Sequence, residues 1–206
     1  MAGTRTIAAA AIGAALLAGL ATPTAQEART SESLERSFAS NGRIRMDLSA
    51  GDYRITGTQA DRIRLEWSVH DPGQLSRVRV DANIRGADAT ISTDSPGNSH
   101  FKVVIQVPAQ ADLHVRLTAG DLRVENIRGN KDIELHAGDV DIDVGRPEDY
   151  KHVDASVWAG DLTAAPFNVY KGGLFRSFDW NGSGPYTLHA KLKAGDLRLF
   201  TKSTEH

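Results

Sequence analysis

The tripeptide Ala-Gly-Asp occurs five times in this chain, and this repeat constrains the fold more than any other feature. A motif that recurs within one sequence indicates an architecture in which one short structural unit is copied and stacked. The glycine and aspartate pairs of the five copies are Gly51 and Asp52, Gly120 and Asp121, Gly138 and Asp139, Gly160 and Asp161, and Gly195 and Asp196. We predict that these pairs form the structural corners of the repeat.

Apolar and polar residues alternate on both sides of each copy, which is the period of a half-buried β-strand. Before Gly120 the apolar positions include Val115 and Leu117, and after it they are Leu122 and Val124. The alternation changes phase across the tripeptide, so we interpret the tripeptide as a corner between two strands. Glycine there permits a positive φ or a close approach of two backbones. The aspartate is expected to accept local backbone hydrogen bonds as an Asx-turn.

The second and third copies are 18 residues apart, and a shift by this spacing superimposes similar chemistry. Val140 falls beside Leu122, and Asp141 falls beside Arg123. Like residues inside and opposite charges outside favour neighbouring coils of a flattened, all-β solenoid. An antiparallel meander or sandwich is the alternative. The shift has one irregularity, because Lys131 takes the place of an apolar residue.

The first 25 residues have the three-part layout of a secretory signal peptide. Arg5 precedes an apolar run over residues 7–20, and small residues lead to Ala25. The run is shorter than the roughly 20 apolar residues that span a bilayer. We therefore predict cleavage after Ala25 and a secreted or periplasmic protein. Residues 26–36 are predicted to be a mobile leader, and residues 37–206 a single all-β repeat domain.

The cysteine content, the net charge and the lack of long apolar segments limit the kinds of partner that the chain can have. The chain contains no cysteine, so burial and backbone hydrogen bonds must stabilise it without disulfides in an oxidising compartment. Its formal net charge is −2, and acidic and basic residues are interspersed. This argues against a nucleic-acid partner, which requires a one-sided basic surface. No segment after the signal peptide is apolar enough to cross a membrane, so we expect no transmembrane segment in the mature chain.

Residues 101–144 resemble the bacterial putative-adhesin domain family of unknown function. An apolar strand that ends at Pro108 precedes the repeated Ala-Gly-Asp corners, as in that family. The segments RSFASNGRIRMDLSAGDYRITG and GPYTLHAKLKAGDLRLF look like its opening and closing repeats, so the resemblance covers residues 37–200. Ala stands where the family often has Ser before Gly-Asp. The resemblance implies an all-β repeat fold and an envelope location.

The residue that precedes each Ala-Gly-Asp copy points outward by alternation. These residues are Ser49, Thr118, His136, Trp158 and Lys193. We predict a binding surface at Trp158, with His136 and Thr118 as its neighbours, because indole faces stack on sugar rings and dominate many interfaces. The cost of exposing an indole favours the alternative that the irregular stretch 166–184 folds over Trp158 as a loop and buries it.

Three carboxylates, those of Asp139, Asp141 and Asp143, fall on one face of a strand by the two-residue period. Such a group could hold Ca²⁺ through oxygen ligands. We favour a solvated outer face in which Arg123 pairs with these carboxylates. The sequence therefore predicts no metal and no cofactor. Asp139, Asp141 and Asp143 are a weak candidate for a metal site.

The sequence contains no motif for a nucleophile with its base, a zinc-dependent hydrolase or a phosphate-binding loop. This favours a non-enzymatic, adhesin-like binding protein that presents a rigid β-repeat face to an extended ligand, either polysaccharide or protein. A structural scaffold that self-associates through strand edges is the alternative. The third hypothesis is a Ca²⁺-assisted polysaccharide-cleaving enzyme that uses Asp139, Asp141 and Arg123.

Overall fold

The computed structural model describes residues 30–97 and 99–202, which form two β-sheets packed face to face. The predicted signal peptide lies outside the described residues. Sheet A has nine strands in the spatial order β1 (Ser31–Ser37), β4 (Arg62–Ser68), β7 (Lys102–Pro108), β3 (Asp52–Thr58), β9 (Leu122–Glu125), β11 (Val140–Asp143), β17 (Leu197–Phe200), β13 (Leu162–Ala164) and β14 (Val169–Lys171). Sheet B has eight strands in the order β15 (Leu174–Asn181), β12 (Tyr150–Ala159), β16 (Tyr186–Ala194), β10 (Lys131–Ala137), β8 (Asp112–Ala119), β2 (Arg43–Leu48), β6 (Asp88–Asp94) and β5 (Arg79–Arg85).

Within residues 30–97 and 99–202, helical structure is minor. One short helix, α1 (Pro72–Leu75), starts at the N-cap Asp71, whose carboxylate accepts a hydrogen bond from the Gly73 N–H. Two 3₁₀ turns span Pro147–Asp149 and Ala165–Phe167. In the part of the chain that the structure describes, no helix has the length and apolar character needed to span a bilayer.

The repeating unit is a coil that consists of a strand in sheet B, a corner and a strand in sheet A. The coils are β2–β3, β6–β7, β8–β9, β10–β11, β12–β13 and β16–β17. Neighbouring coils pair in parallel in both sheets, and Val140 lies beside Leu122 as the repeat spacing predicts. The predicted solenoid is confirmed. Antiparallel pairing, the basis of the meander alternative, is confined to the ends of the stack, where β1, β4, β5, β14 and β15 cap it.

The coils do not stack in the order of the sequence. The first coil, β2–β3, lies between the second and third coils, β6–β7 and β8–β9. The last coil, β16–β17, lies between β10–β11 and β12–β13. Two coils are thus inserted between neighbours, and the outermost coils are the second and the fifth along the chain.

The corner glycines form a continuous line along one edge of the stack. The Gly120 N–H donates to the Ala137 carbonyl at 2.9 Å, and the Gly138 N–H donates to the Ala194 carbonyl at 3.0 Å. Gly138 has a φ of 125°, and a Cβ at this residue would lie 2.0 Å from the Gly120 carbonyl oxygen. Only glycine fits such a corner, because a side chain would collide with the neighbouring coil.

The corner aspartates bond between coils. The Asp139 Oδ1 accepts the Asp196 N–H at 3.0 Å, and the Asp196 Oδ1 accepts the Asp161 N–H at 3.0 Å. A longer contact of 3.4 Å joins the Asp139 N–H to the Asp121 Oδ1. The local Asx-turn expected from the sequence is therefore replaced at these corners, because in-register stacking brings the N–H of the next coil beside each carboxylate.

The predicted mobile leader, residues 26–36, is wrong for residues 31–36. They belong to β1, which pairs with β4 in antiparallel register from Ser31↔Ser68 to Ser37↔Arg62. Most of its side chains are exposed, and only Leu34 is half-buried. This edge strand is held by backbone hydrogen bonds and buries almost no side chains. Its sequence therefore lacks the alternation of apolar residues by which strands are recognised. Residues 26–29 lie outside the described residues.

Candidate binding face

The outer face of sheet B carries side chains in straight rows, because its parallel strands are in register. The row beside the Ala-Gly-Asp corners reads, from β8 to β12, Thr118, His136, Lys193 and Trp158. All four are at the last outward position before the corner of their coil. The row is therefore a direct product of the sequence repeat. Ser49, predicted to point outward with them, is half-buried, and its Oγ contacts the buried Tyr53 and Thr93 side chains at 3.5 and 3.3 Å.

Trp158 is 57% exposed, and the segment expected to bury it does not cover it. Residues 166–184, predicted as a loop, contain β14 and β15. β15 joins the edge of β12 and places Phe175, 72% exposed, opposite Trp158, with ring centroids 6.0 Å apart and planes at 51°. Phe175 has a φ of 55°, which is rare for a bulky residue. Both rings are thus side by side and exposed to solvent.

The two aromatic rings form one wall of a groove of about 560 Å³ on this face. Lys191 and Lys193 line the groove from β16, whose residues pair directly with those of β12. Within residues 30–97 and 99–202, neither lysine makes an ion pair. The groove therefore combines an apolar aromatic wall with a free cationic side.

His136 and Thr118 lie farther from the groove than the sequence suggested. They are neighbours of each other on β10 and β8, but β16 separates β10 from β12 and brings Lys193 between His136 and Trp158. Two strand spacings put His136 roughly 10 Å from Trp158 along the row. The prediction that Trp158 adjoins His136 is corrected, since sequence order gives no sign that β16 is inserted there.

The aspartates weighed as a Ca²⁺ site have other partners. Asp141 lies between two arginines, with Arg123 Nη1 at 3.0 Å from Oδ2 and Arg198 Nε at 2.7 Å from Oδ1. The hydrogen bond to Asp141 raises the pKa of Arg198. Asp143 is buried and accepts the Gly145 N–H at 2.9 Å. These oxygens already have donors, and within the described residues the carboxylates of Asp139, Asp141 and Asp143 do not form a group of mutually close ligand atoms.

Lys131, which replaces an apolar residue of the repeat, lies inside the core and is 1% exposed. Its Nζ donates to the Tyr150 Oη at 2.6 Å and to the Gly129 carbonyl at 3.2 Å. Burial lowers the pKa of Lys131 to about 8, an effect that the charge of Asp143 partly offsets, and burial raises the pKa of Tyr150. The interruption of the apolar pattern was the sequence signal for this buried polar group.

Histidine and aspartate side chains face each other across neighbouring strands elsewhere on the outer face of sheet B. The pairs are His114 Nδ1 with Asp132 Oδ2 at 2.7 Å, His189 Nδ1 with Asp154 Oδ2 at 3.6 Å, and His152 Nε2 with Asp179 Oδ2 at 3.5 Å. Sequence motifs missed these pairs because the partners lie on different strands.

These features define an all-β repeat protein of stacked, mainly parallel coils in two open sheets, with an exposed aromatic groove on one face. The chain belongs to the Toastrack DUF4097 family, whose sequence profile matches residues 30–199. This confirms the family resemblance drawn from the repeat. No curated protein matches the sequence significantly.

Two solved structures are similar to this chain at low sequence identity. One is described as a putative cell adhesion protein from Clostridium sporogenes, with 12% identity and a TM-score of 0.55, over 84% of this chain and 100% of that chain. Another is described as a putative adhesin from Bacteroides fragilis, with 9% identity and a TM-score of 0.35, over 84% of this chain and 98% of that chain. The first likeness shows a common fold.

Proposed function

We propose that this chain is an exported, non-enzymatic, adhesin-like protein of the cell envelope that binds an extended polysaccharide on the outer face of sheet B. The observation that carries the proposal is the exposed pair of Trp158 and Phe175 beside two lysines that lack ion pairs within the described part of the chain. Exposed aromatic rings are costly unless a partner covers them. The layout of the first 25 residues supports export.

The chemistry of the groove favours a polysaccharide that carries anionic groups. Aromatic faces pack against the apolar faces of sugar rings, and tryptophan contributes much of the energy where it is an anchor. Lys191 and Lys193 supply positive charge along the same groove. An acidic polymer satisfies both features, because its carboxylates or phosphates pair with the ammonium groups while its rings stack.

The carboxylates of Asp139 and Asp141 already accept hydrogen bonds from the protein, which supports a binding role over a polysaccharide-cleaving enzyme. Asp141 is held by Arg123 and Arg198, and Asp139 accepts a backbone N–H. Ca²⁺ at these residues would have to displace those donors.

Self-association through strand edges is the second candidate, and β15 favours it. This strand is at the end of sheet B and exposes Leu174 beside Phe175. The edge strands β1 and β5 instead carry several charged side chains, which discourage pairing between copies. A size that grows with protein concentration and that Leu174→Lys abolishes would favour the scaffold over the polysaccharide-binding role.

The test is co-sedimentation with insoluble acidic and neutral polysaccharides and with isolated envelope fractions. Trp158→Ala should lower affinity for the acidic polymer by roughly 30-fold. Tyr170→Ala is the matched control, because Tyr170 is an exposed aromatic residue on the other sheet, and it should bind normally. Equal losses in both variants, or binding only to proteinaceous envelope fractions, would overturn the polysaccharide proposal.

A further inference from the structure

We infer that the outer face of sheet B binds one divalent transition-metal ion of the zinc class through His152, Asp154 and Asp179. The ligand atoms of these three side chains all lie within 4.8 Å of one another. His152 and Asp154 are two residues apart on β12 and so share a face, and Asp179 stands opposite Asp154 on β15. The cluster is distinct from the aromatic groove and from the aspartates near Arg123.

The first argument is electrostatic. Asp154 and Asp179 are directly paired across two antiparallel strands, an arrangement in which like charges destabilise a sheet. Within the described ranges, 30–97 and 99–202, neither carboxylate makes an ion pair with lysine or arginine, whereas Asp141 has two arginines. Their only close partners of basic type there are the imidazoles of His152 and His189, which carry a positive charge only when protonated. A divalent cation would remove this repulsion.

The second argument is the orientation of the ligands. The His152 Nδ1–H donates to the Asn181 Oδ1 at 2.9 Å, which leaves the lone pair of Nε2 directed toward the cluster. The same amide donates through Nδ2 to the Asp179 Oδ1 at 3.1 Å. Asn181 thus fixes one imidazole and one carboxylate, which is how outer hydrogen bonds orient ligands around protein-bound metals.

The third argument is distance. Ligand atoms in a tetrahedral zinc site are about 3.4 Å apart, given bonds of about 2.1 Å. His152 Nε2 and Asp179 Oδ2 are 3.5 Å apart. His189 Nδ1 lies 3.6 Å from Asp154 Oδ2 but is outside the group of mutually close ligand atoms, so the three side chains leave a coordination position for water. All of these groups are on a solvent-facing surface, so small rotations can close the remaining distances.

Imidazole identifies the class of metal. Nitrogen ligands suit zinc and its neighbours in the first transition row, whereas Ca²⁺ selects oxygen ligands. The expected site therefore takes Zn²⁺ or Co²⁺ at micromolar concentration and Ca²⁺ far more weakly.

Isothermal titration of the untagged protein with ZnCl₂ tests the proposal. Wild type should bind one equivalent, and His152→Ala and Asp154→Asn should each weaken binding at least tenfold. Asn181→Ala should weaken it roughly tenfold without removing a ligand. His114→Ala is the matched control, because His114 contacts the Asp132 carboxylate on the same sheet face but is outside the group of mutually close ligand atoms, and it should bind as wild type does.

Co²⁺ provides a second measurement that does not depend on stability. The bound ion should give the visible absorption bands of tetrahedral or five-coordinate cobalt, and the bands should disappear in His152→Ala while circular dichroism stays unchanged. The proposal is overturned if zinc does not bind, if His114→Ala loses binding as His152→Ala does, or if Ca²⁺ binds more tightly than zinc.

Discussion

The ammonium group of Lys131 lies 2.6 Å from the hydroxyl group of Tyr150 inside the core, at the point where the neighbouring coil has Leu113. Burial lowers the pKa of Lys131 to about 8 from its usual value of 10.5. Between these pH values the unfolded chain binds the proton and the folded chain releases it. Unfolding free energy therefore rises with pH in this window.

We expect the unfolding free energy to increase by about 2 kcal/mol between pH 7 and pH 9.5 through this one group. Urea unfolding followed by circular dichroism at a series of pH values measures the increase. Lys131→Met should remove it. A wild-type increase that persists in Lys131→Met would show that another group causes it.

The stability gained at alkaline pH should be lost again above about pH 10. Burial raises the pKa of Tyr150, so its phenol ionises in the unfolded chain before it ionises in the folded one. The unfolding free energy then falls as pH rises. Tyr150→Phe should flatten the descending side of the pH profile and leave a part due to Tyr53, whose pKa burial also raises.

The corner glycines should tolerate no side chain. Gly138→Ala places a Cβ 2.0 Å from the Gly120 carbonyl oxygen at a residue with a φ of 125°, and should cost about 3 kcal/mol or more of unfolding free energy. Gly97→Ala is the control, because a Cβ there meets nothing within 4 Å. Thermal unfolding of the two variants should differ strongly, and similar melting temperatures would contradict the close approach of the coils.

The hydrogen bond between corner aspartates should show in a matched pair of substitutions. Asp139→Ala removes the acceptor of the Asp196 N–H and should cost about 1 kcal/mol. Asp139→Asn keeps an acceptor oxygen and should cost much less. Neither wild type nor variant should gain stability from added Ca²⁺, and a Ca²⁺-dependent shift in wild type that Asp139→Asn removes would revive the calcium interpretation.

We expect Phe175 to lower the stability of the fold and to strengthen ligand binding. Its φ of 55° strains a bulky residue, so Phe175→Gly should raise the unfolding free energy by roughly 1 kcal/mol. The same change removes one ring of the groove and should weaken binding of acidic polysaccharide. Urea unfolding and co-sedimentation of one preparation measure both effects, and a destabilised variant would show that the ring has packing that outweighs the strain.

The sequence predicted the repeat geometry well because adjacent coils obey a local rule. The pairing of Val140 with Leu122 and of Asp141 with Arg123 follows from a constant spacing and from side chains that alternate. The buried Lys131 was visible as a break in that pattern. These features depend on neighbours within a short stretch of chain.

The order of the coils could not be predicted in the same way. Each coil has similar edges, so periodicity does not tell whether β16 pairs with β12 alone or also with β10. For this reason the sequence placed Trp158 beside His136 and missed the groups that meet across β12, β15 and β16. The partner of Trp158 on β15 was missed because Phe175 lies in a stretch without repeat signals.

The insertion of the last coil between two others has a mechanical consequence. β17 has a parallel partner on each side, Val140 of β11 and Leu162 of β13 both facing Leu197, and β16 is likewise flanked by β10 and β12. Tension on the segment that follows β17 loads two rows of backbone hydrogen bonds together, along their strands. Strands of this kind resist pulling by shear, whereas an edge strand peels away one bond at a time.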